Sequence, residues 1–266
     1  MRFVLGPGRI LAACAAMLLA VSTAACTAAG TGEAGPARER GSVSVFAASS
    51  LTDVVEALDD GYDGGGRLRI NVGSSSQLVT QIQSGAQADV VIAADLAALD
   101  PLRSEGTVSR EAVLASNRLV LALAPGNPAG ISVLRDAAAD GVRTAMCAPS
   151  VPCGRAADRV LSAAAVAVQG PSLEDSVRSV LTKVSTGQAD AGLVYRTDAL
   201  AAEAGGVTWL PLDDPEPNRY PAALTVDGAA NSEAEEFYDW LTGPQAAAIL
   251  ADAGFGPADP EGTDAP

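Results

Sequence analysis

Two corners of small and hydroxylated residues are the parts of this sequence best suited to bind an anion. In "VFAASSLTDVVEAL", residues 45–58, an apolar run passes through alanines and serines into a helical pattern. "NVGSSSQLV", residues 71–79, repeats that arrangement. The start of a helix has unpaired N–H groups and a partial positive charge, and serine hydroxyls can add further donors. The two corners therefore predict two half-sites for one anion.

A structural interpretation of each corner stays open beside this one. Ser50 and Asp53 have the S-x-x-D spacing of a capping box, and serine is a favoured N-cap residue in any helix. The serines at 74–76 could form a simple turn. Asp53, Asp89, Asp95 and Asp190 lie near strand ends or helix starts, where we interpret each as a cap or a surface charge.

Apolar β-like runs and helical patterns alternate around these corners. Predicted strands cover 42–47, 67–72, 88–95, 117–125 and 189–195, and predicted helices cover about 51–60, 77–84, 154–168 and 172–187. This alternation predicts an α/β fold of two lobes, each a mostly parallel sheet flanked by helices. The predicted lobes are 42–121 with 222–260, and 122–221. Ligands of such sheets bind beyond the carboxyl ends of the strands, where both serine corners fall.

Composition excludes several classes of function. The formal charge of -15 argues against nucleic-acid binding, which needs a basic face. The chain has no histidine, which removes Ser-His-Asp and Cys-His catalysis and the commonest general base. The sequence does not place any two of these carboxylates as an acid and a base. We therefore expect a binding protein rather than an enzyme, with no cofactor and no direct metal site.

The first 25 residues have the pattern of a secretion signal, with Arg2 and Arg9 before an apolar stretch. We predict lipidation of Cys26 after cleavage of residues 1–25, and a flexible tether over 26–41. Lipidation at Cys14 and an ordinary cleaved signal are the alternatives. The protein is then expected at the extracytoplasmic face of the membrane, held by a lipid anchor.

Two further cysteines lie in "MCAPSVPCG", at Cys147 and Cys153. Outside the cytoplasm a disulfide is the usual state of such a pair. A metal site built from two cysteines without histidine is the weaker alternative.

Taken together, residues 42–256 resemble the periplasmic molybdate-binding proteins of ABC importers, which have a two-lobed type II periplasmic-binding-protein fold. The resemblance is carried by "VFAASSLTDV", "GSSSQLVTQIQSGAQADVVIAAD", "VPCG", "EDSVRSVLTKVSTGQADAGLVYRTDA", "YPAALTV" and "FYDWLTGPQAAAIL". It implies a monomer that captures molybdate or tungstate for a membrane permease and its ATPase.

The resemblance also implies the residues that hold the anion. They are the hydroxyls of Ser50, Ser75 and Tyr195 and the backbone N–H groups of Cys153 and Val177. Cysteine replaces the family's alanine at 153, and "EDSVR" is one residue longer than the family's "EDVR", which leaves Ser176 as the alternative to Val177. The 18-residue spacing from Val177 to Tyr195 favours Val177.

Every member of this set is a donor, which suits a fully deprotonated dianion and disfavours phosphate, because phosphate retains a proton that needs an acceptor. Donors alone do not separate molybdate from sulfate. A receptor for sulfate or another tetrahedral oxyanion is therefore the alternative, and an extracellular α/β enzyme is a remote one.

Overall fold

The computed structural model describes residues 41–259. Ten strands lie within these residues: β1 (Ser42–Ala48), β2 (Arg67–Gly73), β3 (Val90–Ile92), β4 (Val108–Asn117), β5 (Leu119–Leu123), β6 (Thr144–Cys147), β7 (Ser172–Glu174), β8 (Ala191–Tyr195), β9 (Thr208–Pro211) and β10 (Asn218–Thr225). The predicted signal peptide, Cys26 and the tether, apart from Gly41, lie outside the described residues.

Eight α-helices accompany the strands in the described part of the chain. They are α1 (Val55–Gly61), α2 (Ser75–Gln83), α3 (Asp100–Ser104), α4 (Pro152–Ala163), α5 (Val177–Ser185), α6 (Arg196–Ala202), α7 (Ser232–Leu241) and α8 (Pro244–Asp252). Between residues 41 and 259, no helix combines the length and the apolar character needed to cross a membrane.

The strands form two five-stranded sheets with the same internal plan. The first sheet has the order β2-β1-β3-β10-β4 and the second the order β7-β6-β8-β5-β9. In each sheet three neighbouring strands are parallel, the fourth is antiparallel to them, and the fifth pairs antiparallel with the fourth. This confirms the predicted α/β fold with two helix-flanked sheets. The lobe bounds, 42–121 with 222–260 and 122–221, stay a prediction.

The parallel strands explain why the serine corners meet. β1 pairs with both β2 and β3, so the carboxyl ends of these three strands lie at one edge of the first sheet. β3 is fully buried, with Val90, Val91 and Ile92 at most 1% exposed, which matches its continuous apolar run. The apolar faces of both sheets pack against their helices and fix that edge in place.

Three local predictions differ from the structure. The predicted helix over 51–60 is a 3₁₀ turn at Ser49–Leu51 followed by α1, which begins only at Val55. β4 was missed because it is an edge strand whose first half is exposed and carries charged side chains. Ser172–Glu174 was assigned to a helix but pairs as an edge strand with β6.

Candidate functional site

All five residues predicted to hold the anion line one small cavity. Its volume is about 10 Å³, close to the space of one water molecule. Ser50 and Ser75 come from elements of the first sheet, and Cys153, Val177 and Tyr195 from elements of the second. The remaining lining residues are Ala48, Ser49, Ser74, Ala94, Pro152 and Ser176.

Strand ends and helix starts position these residues. Ser50 lies in the 3₁₀ turn that follows β1, and Ser75 is the first residue of α2, separated from the end of β2 by Ser74. Cys153 is the second residue of α4, and Val177 is the first residue of α5. Tyr195 ends β8 and precedes α6. The cavity therefore lies where the parallel strands of both sheets end and where α2, α4 and α5 begin.

Three hydroxyls in the cavity wall each accept a hydrogen bond from a neighbouring group. Ser50 Oγ accepts from the Tyr220 hydroxyl at 2.9 Å. Ser75 Oγ accepts from the backbone N–H of Ala94 at 3.0 Å. The Tyr195 hydroxyl accepts from Asn218 Nδ2 at 2.6 Å. Each hydroxyl therefore keeps its own proton for a further partner.

Backbone donors come from the two helix starts of the second sheet. The N–H groups of Cys153 and Val177 belong to first turns, whose N–H groups have no intrahelical acceptor. Ser176, the alternative to Val177, is the N-cap of α5, and its Oγ accepts from Ser179 N at 3.2 Å. Both Ser176 and Val177 line the cavity, and the choice of Val177 stays a prediction.

A disulfide holds the loop before α4. Cys147, the last residue of β6, and Cys153 are bonded with an S–S distance of 2.06 Å and lie 5.6 Å apart at their Cα atoms. Gly154 follows directly, where a Cβ atom would lie 1.9 Å from the carbonyl oxygen of Ala148. Only glycine fits there, because the loop and the helix start approach so closely. The disulfide and Gly154 together fix the position of the Cys153 N–H.

The electrostatic character of the cavity comes from dipoles rather than from formal charges. None of the residues that line it is charged. The N-terminal ends of three helices meet there, and their partial positive charges favour an anion. Burial raises the pKa of Tyr195 well above its ordinary value, so this hydroxyl stays protonated and can donate. An anion would meet only neutral donors and helix dipoles in this cavity.

Beside the cavity, two arginine–aspartate pairs join elements of the two sheets. Arg155 of α4 binds Asp95 with two hydrogen bonds, Nε to Oδ2 at 2.8 Å and Nη2 to Oδ1 at 2.9 Å. Asp95 follows β3, is 8% exposed, and also accepts from Ala98 N. Arg178 of α5 binds Asp53, with Nη1 and Oδ2 2.5 Å apart.

The second pair corrects the capping interpretation of Asp53. Helix α1 has no side-chain cap, and neither Ser50 nor Asp53 caps the preceding turn. Asp53 pairs with Arg178 instead. Arg178 also lies 3.4 Å from Asp198, a fully buried carboxylate three residues after Tyr195. Burial raises the pKa of Asp198 to about 7, against the opposing charge of Arg178.

Two further hydrogen bonds join α2 to the segments that precede α4 and α5. Ser76 Oγ donates to Ser150 O at 2.9 Å, and Gln77 Nε2 donates to Asp175 Oδ2 at 2.9 Å. In residues 41–259, no cluster of three or more His, Cys, Asp or Glu side chains is placed to hold a metal ion.

Several residues around the site are not indicated by the sequence alone. Tyr220 and Asn218 lie on β10, and Tyr220 is 170 positions away from the serine it contacts. The sequence indicates that Asp95 and Asp53 are carboxylates near helix starts, but it does not indicate their arginine partners. The segment "YPAALTV" of β10 carries part of the family resemblance, but nothing in it indicates that Tyr220 contacts Ser50.

Comparison with known proteins gives a consistent result. The profile of the family described as bacterial extracellular solute-binding protein matches residues 43–256. The molybdate-binding protein ModA of Mycobacterium tuberculosis (strain H37Rv) is 34% identical over 236 residues, which are 84% of this chain and 87% of the relative. ModA of Escherichia coli K12 is 32% identical over 237 residues, 82% of this chain and 90% of the relative.

A solved structure agrees with these relatives. The periplasmic molybdate-binding protein of Azotobacter vinelandii matches with a TM-score of 0.70 and 27% identity, covering 80% of this chain and 98% of the other. The type II periplasmic-binding-protein fold and the resemblance to molybdate-binding proteins are thereby confirmed. The family profile covers most of the chain, and so does a relative above 30% identity. The chain therefore belongs to the bacterial extracellular solute-binding proteins.

Proposed function

We propose that this protein captures molybdate, and also tungstate, in the cavity between the two sheets. The observation that carries the proposal is the donor set: hydroxyls of Ser50, Ser75 and Tyr195 and helix-start N–H groups surround one cavity that has no charged lining residue. A fully deprotonated tetrahedral dianion needs donors only. The relatives named molybdate-binding proteins support the choice of anion.

The proposed mechanism is hinged closure. The anion first binds the serine corners of the first sheet and then recruits Cys153, Val177 and Tyr195 from the second, which stabilises the closed form. The connections between the sheets, at Arg118 and between β9 and β10, would serve as the hinge. The arginine–aspartate pairs beside the cavity would add to the stability of the closed form.

In the cell, the closed protein would deliver its anion to the permease and ATPase of an ABC importer. We propose that it works there as a monomer, held at the extracytoplasmic face of the membrane by a lipid on Cys26. The proposal assigns it no catalytic step and no cofactor. A receptor for sulfate is the second candidate, because sulfate is also a fully deprotonated tetrahedral dianion and the same donors suit it.

Calorimetric titration of the purified chain with molybdate, tungstate and sulfate tests the proposal. We expect saturable binding of molybdate and tungstate and much weaker binding of sulfate. Binding of sulfate alone would refute the choice of anion in favour of the second candidate.

A double variant tests the location of the site. Ser50→Ala with Ser75→Ala removes two hydrogen bonds to a charged group and should weaken molybdate binding by about 100-fold or more. Ser84→Ala with Ser185→Ala is the matched control, because these serines bond only to nearby helix carbonyls. Equal affinities in the two double variants would mean that the site lies elsewhere.

A further inference from the structure

A site lined by hydroxyl groups is not restricted to donating hydrogen bonds. A serine or tyrosine hydroxyl has one proton to donate and lone pairs with which to accept, so it can bind either a bare anion oxygen or a protonated one. What decides between these roles is the hydrogen bonding behind each hydroxyl. In this protein the structure fixes that hydrogen bonding for Ser50, Ser75 and Tyr195.

Asn218 sets the role of Tyr195. Its amide orientation is determined at both ends, because Arg159 Nη2, which can only donate, contacts Oδ1 at 2.6 Å. The carbonyl oxygen of Ala94, which can only accept, contacts Nδ2 at 2.9 Å. The second Nδ2 proton is therefore donated to the Tyr195 hydroxyl at 2.6 Å. Asn218 is 2% exposed, so no solvent competes for these bonds.

Tyr220 sets the role of Ser50 in the same way. Its hydroxyl donates to Ser50 Oγ at 2.9 Å. Tyr220 is 1% exposed and Ser50 is 4% exposed. Because the Tyr220 proton lies between the two oxygens, the Ser50 proton cannot also point toward Tyr220, so it points toward the cavity. The backbone N–H of Ala94 constrains Ser75 similarly.

We infer that Asn218 and Tyr220 are specificity-determining positioning residues, which commit Tyr195 and Ser50 to donate and thereby exclude tetrahedral anions that carry a proton. This inference rests on the proposed function of the cavity as an oxyanion site. It assigns the discrimination against hydrogen phosphate to residues behind the cavity wall rather than to those that touch the anion. Neither residue is among those that line the cavity.

The test compares two dianions of equal charge at mildly alkaline pH. One is hydrogen phosphate, which retains a proton, and the other is the tightest-bound of molybdate, tungstate and sulfate. The readout is the ratio of their dissociation constants, hydrogen phosphate over the reference anion. Tyr220→Phe frees Ser50 to accept, and it should lower this ratio by about tenfold, the value of one hydrogen bond to a charged group.

Tyr238→Phe is the matched control. Tyr238 is also a buried tyrosine, 2% exposed, but its hydroxyl faces Ala222 O at 3.5 Å. Its removal should leave the ratio unchanged. A ratio within twofold of the wild-type value in Tyr220→Phe would overturn the inference, as would an equal fall in the control.

A second variant reverses the role of Tyr195. In Asn218→Asp the carboxylate can only accept, so it takes the Tyr195 proton, while Arg159 remains beside it as a counter-charge. Binding of both dianions weakens through the added charge, but the ratio should again fall by about tenfold, because Tyr195 then offers a lone pair. An unchanged ratio in this variant would contradict the inference.

The wild-type measurements separate this inference from the proposed function. Wild-type protein that binds sulfate and not molybdate would refute the proposed anion, while the ratio of hydrogen phosphate to sulfate still tests the roles of Asn218 and Tyr220. Wild-type protein that binds hydrogen phosphate as tightly as the reference anion would overturn the inference itself. In that case another wall hydroxyl, such as that of Ser74, accepts the proton.

Discussion

Arg155 makes the better-formed of the two charge pairs that join elements of the first and second sheets. Its guanidinium binds both carboxylate oxygens of Asp95, at 2.8 and 2.9 Å, and its Nη1 donates to Ser150 O at 2.8 Å. The Arg155 side chain is 30% exposed and that of Asp95 is 11% exposed. If the anion is held by closure, this pair should slow its release. Arg155→Met removes the charge and keeps most of the apolar stem.

The size of the effect follows from burial and geometry. Hydrogen bonds to charged groups contribute about 1.5–3 kcal/mol, and partial exposure lowers that value. We therefore expect a loss of about 1–2 kcal/mol in the closed form, which weakens molybdate binding by roughly 5- to 30-fold. Most of the change should appear in the dissociation rate, because the pair forms only once the two halves have closed.

Stopped-flow dissociation and calorimetry on Arg155→Met measure this effect, and Arg103→Met is the matched control. Arg103 forms a similar two-bond pair with Glu111, at 2.8 and 2.7 Å, but both residues belong to elements of the first sheet. The control should lower the free energy of unfolding and leave the dissociation rate unchanged. Release from Arg155→Met at the wild-type rate would refute the role of this pair in closure.

Three further predictions concern the loop before α4 and the buried carboxylate. Replacing Cys147 and Cys153 by alanine removes a short cross-link and should lower the free energy of unfolding by about 2 kcal/mol, measured in urea, while the N–H at 153 still binds molybdate. Gly154→Ala forces a Cβ atom against the carbonyl oxygen of Ala148, so calorimetry should show weaker molybdate binding, with stability lowered by about 1–3 kcal/mol. Burial raises the pKa of Asp198 to about 7, so the folded state binds that proton more tightly than the unfolded chain, and stability is lost as pH rises from about 4 through about 7. Urea unfolding across this range should show that the free energy of unfolding of Asp198→Asn rises relative to that of the wild type as pH increases. The difference should reach up to about 4 kcal/mol above about pH 7, and a difference that does not change with pH would contradict this assignment.

The parts of the fold that depend on local pattern could be predicted. The buried run of β3 and the small corners after β1 and β2 are visible in the sequence, because each depends on residues that are neighbours along the chain. The predicted start of the helix after β1, at about residue 51, is wrong, because α1 begins at Val55. The 3₁₀ turn at Ser49–Leu51 and the later start at Val55 are set by how the corner packs.

The residues behind the cavity wall could not be predicted, for a physical reason. Tyr220 and Asn218 act through contacts with Ser50 and Tyr195 that are 170 and 23 positions away in the chain. Their roles depend on the register of β10 beside β3, which local periodicity does not determine. The same limit applies to Arg178, whose partner Asp53 lies 125 positions earlier and was interpreted as a helix cap.

The central claim is that one tetrahedral dianion binds among the donors of both halves. X-ray diffraction from a crystal grown with tungstate, collected at the tungsten absorption edge, tests it most directly, because the anomalous signal locates the metal atom. We predict a single strong peak in the cavity, enclosed by Ser50, Ser75, Cys153, Val177 and Tyr195. A peak elsewhere on the protein, or no peak at saturating tungstate, would contradict the claim.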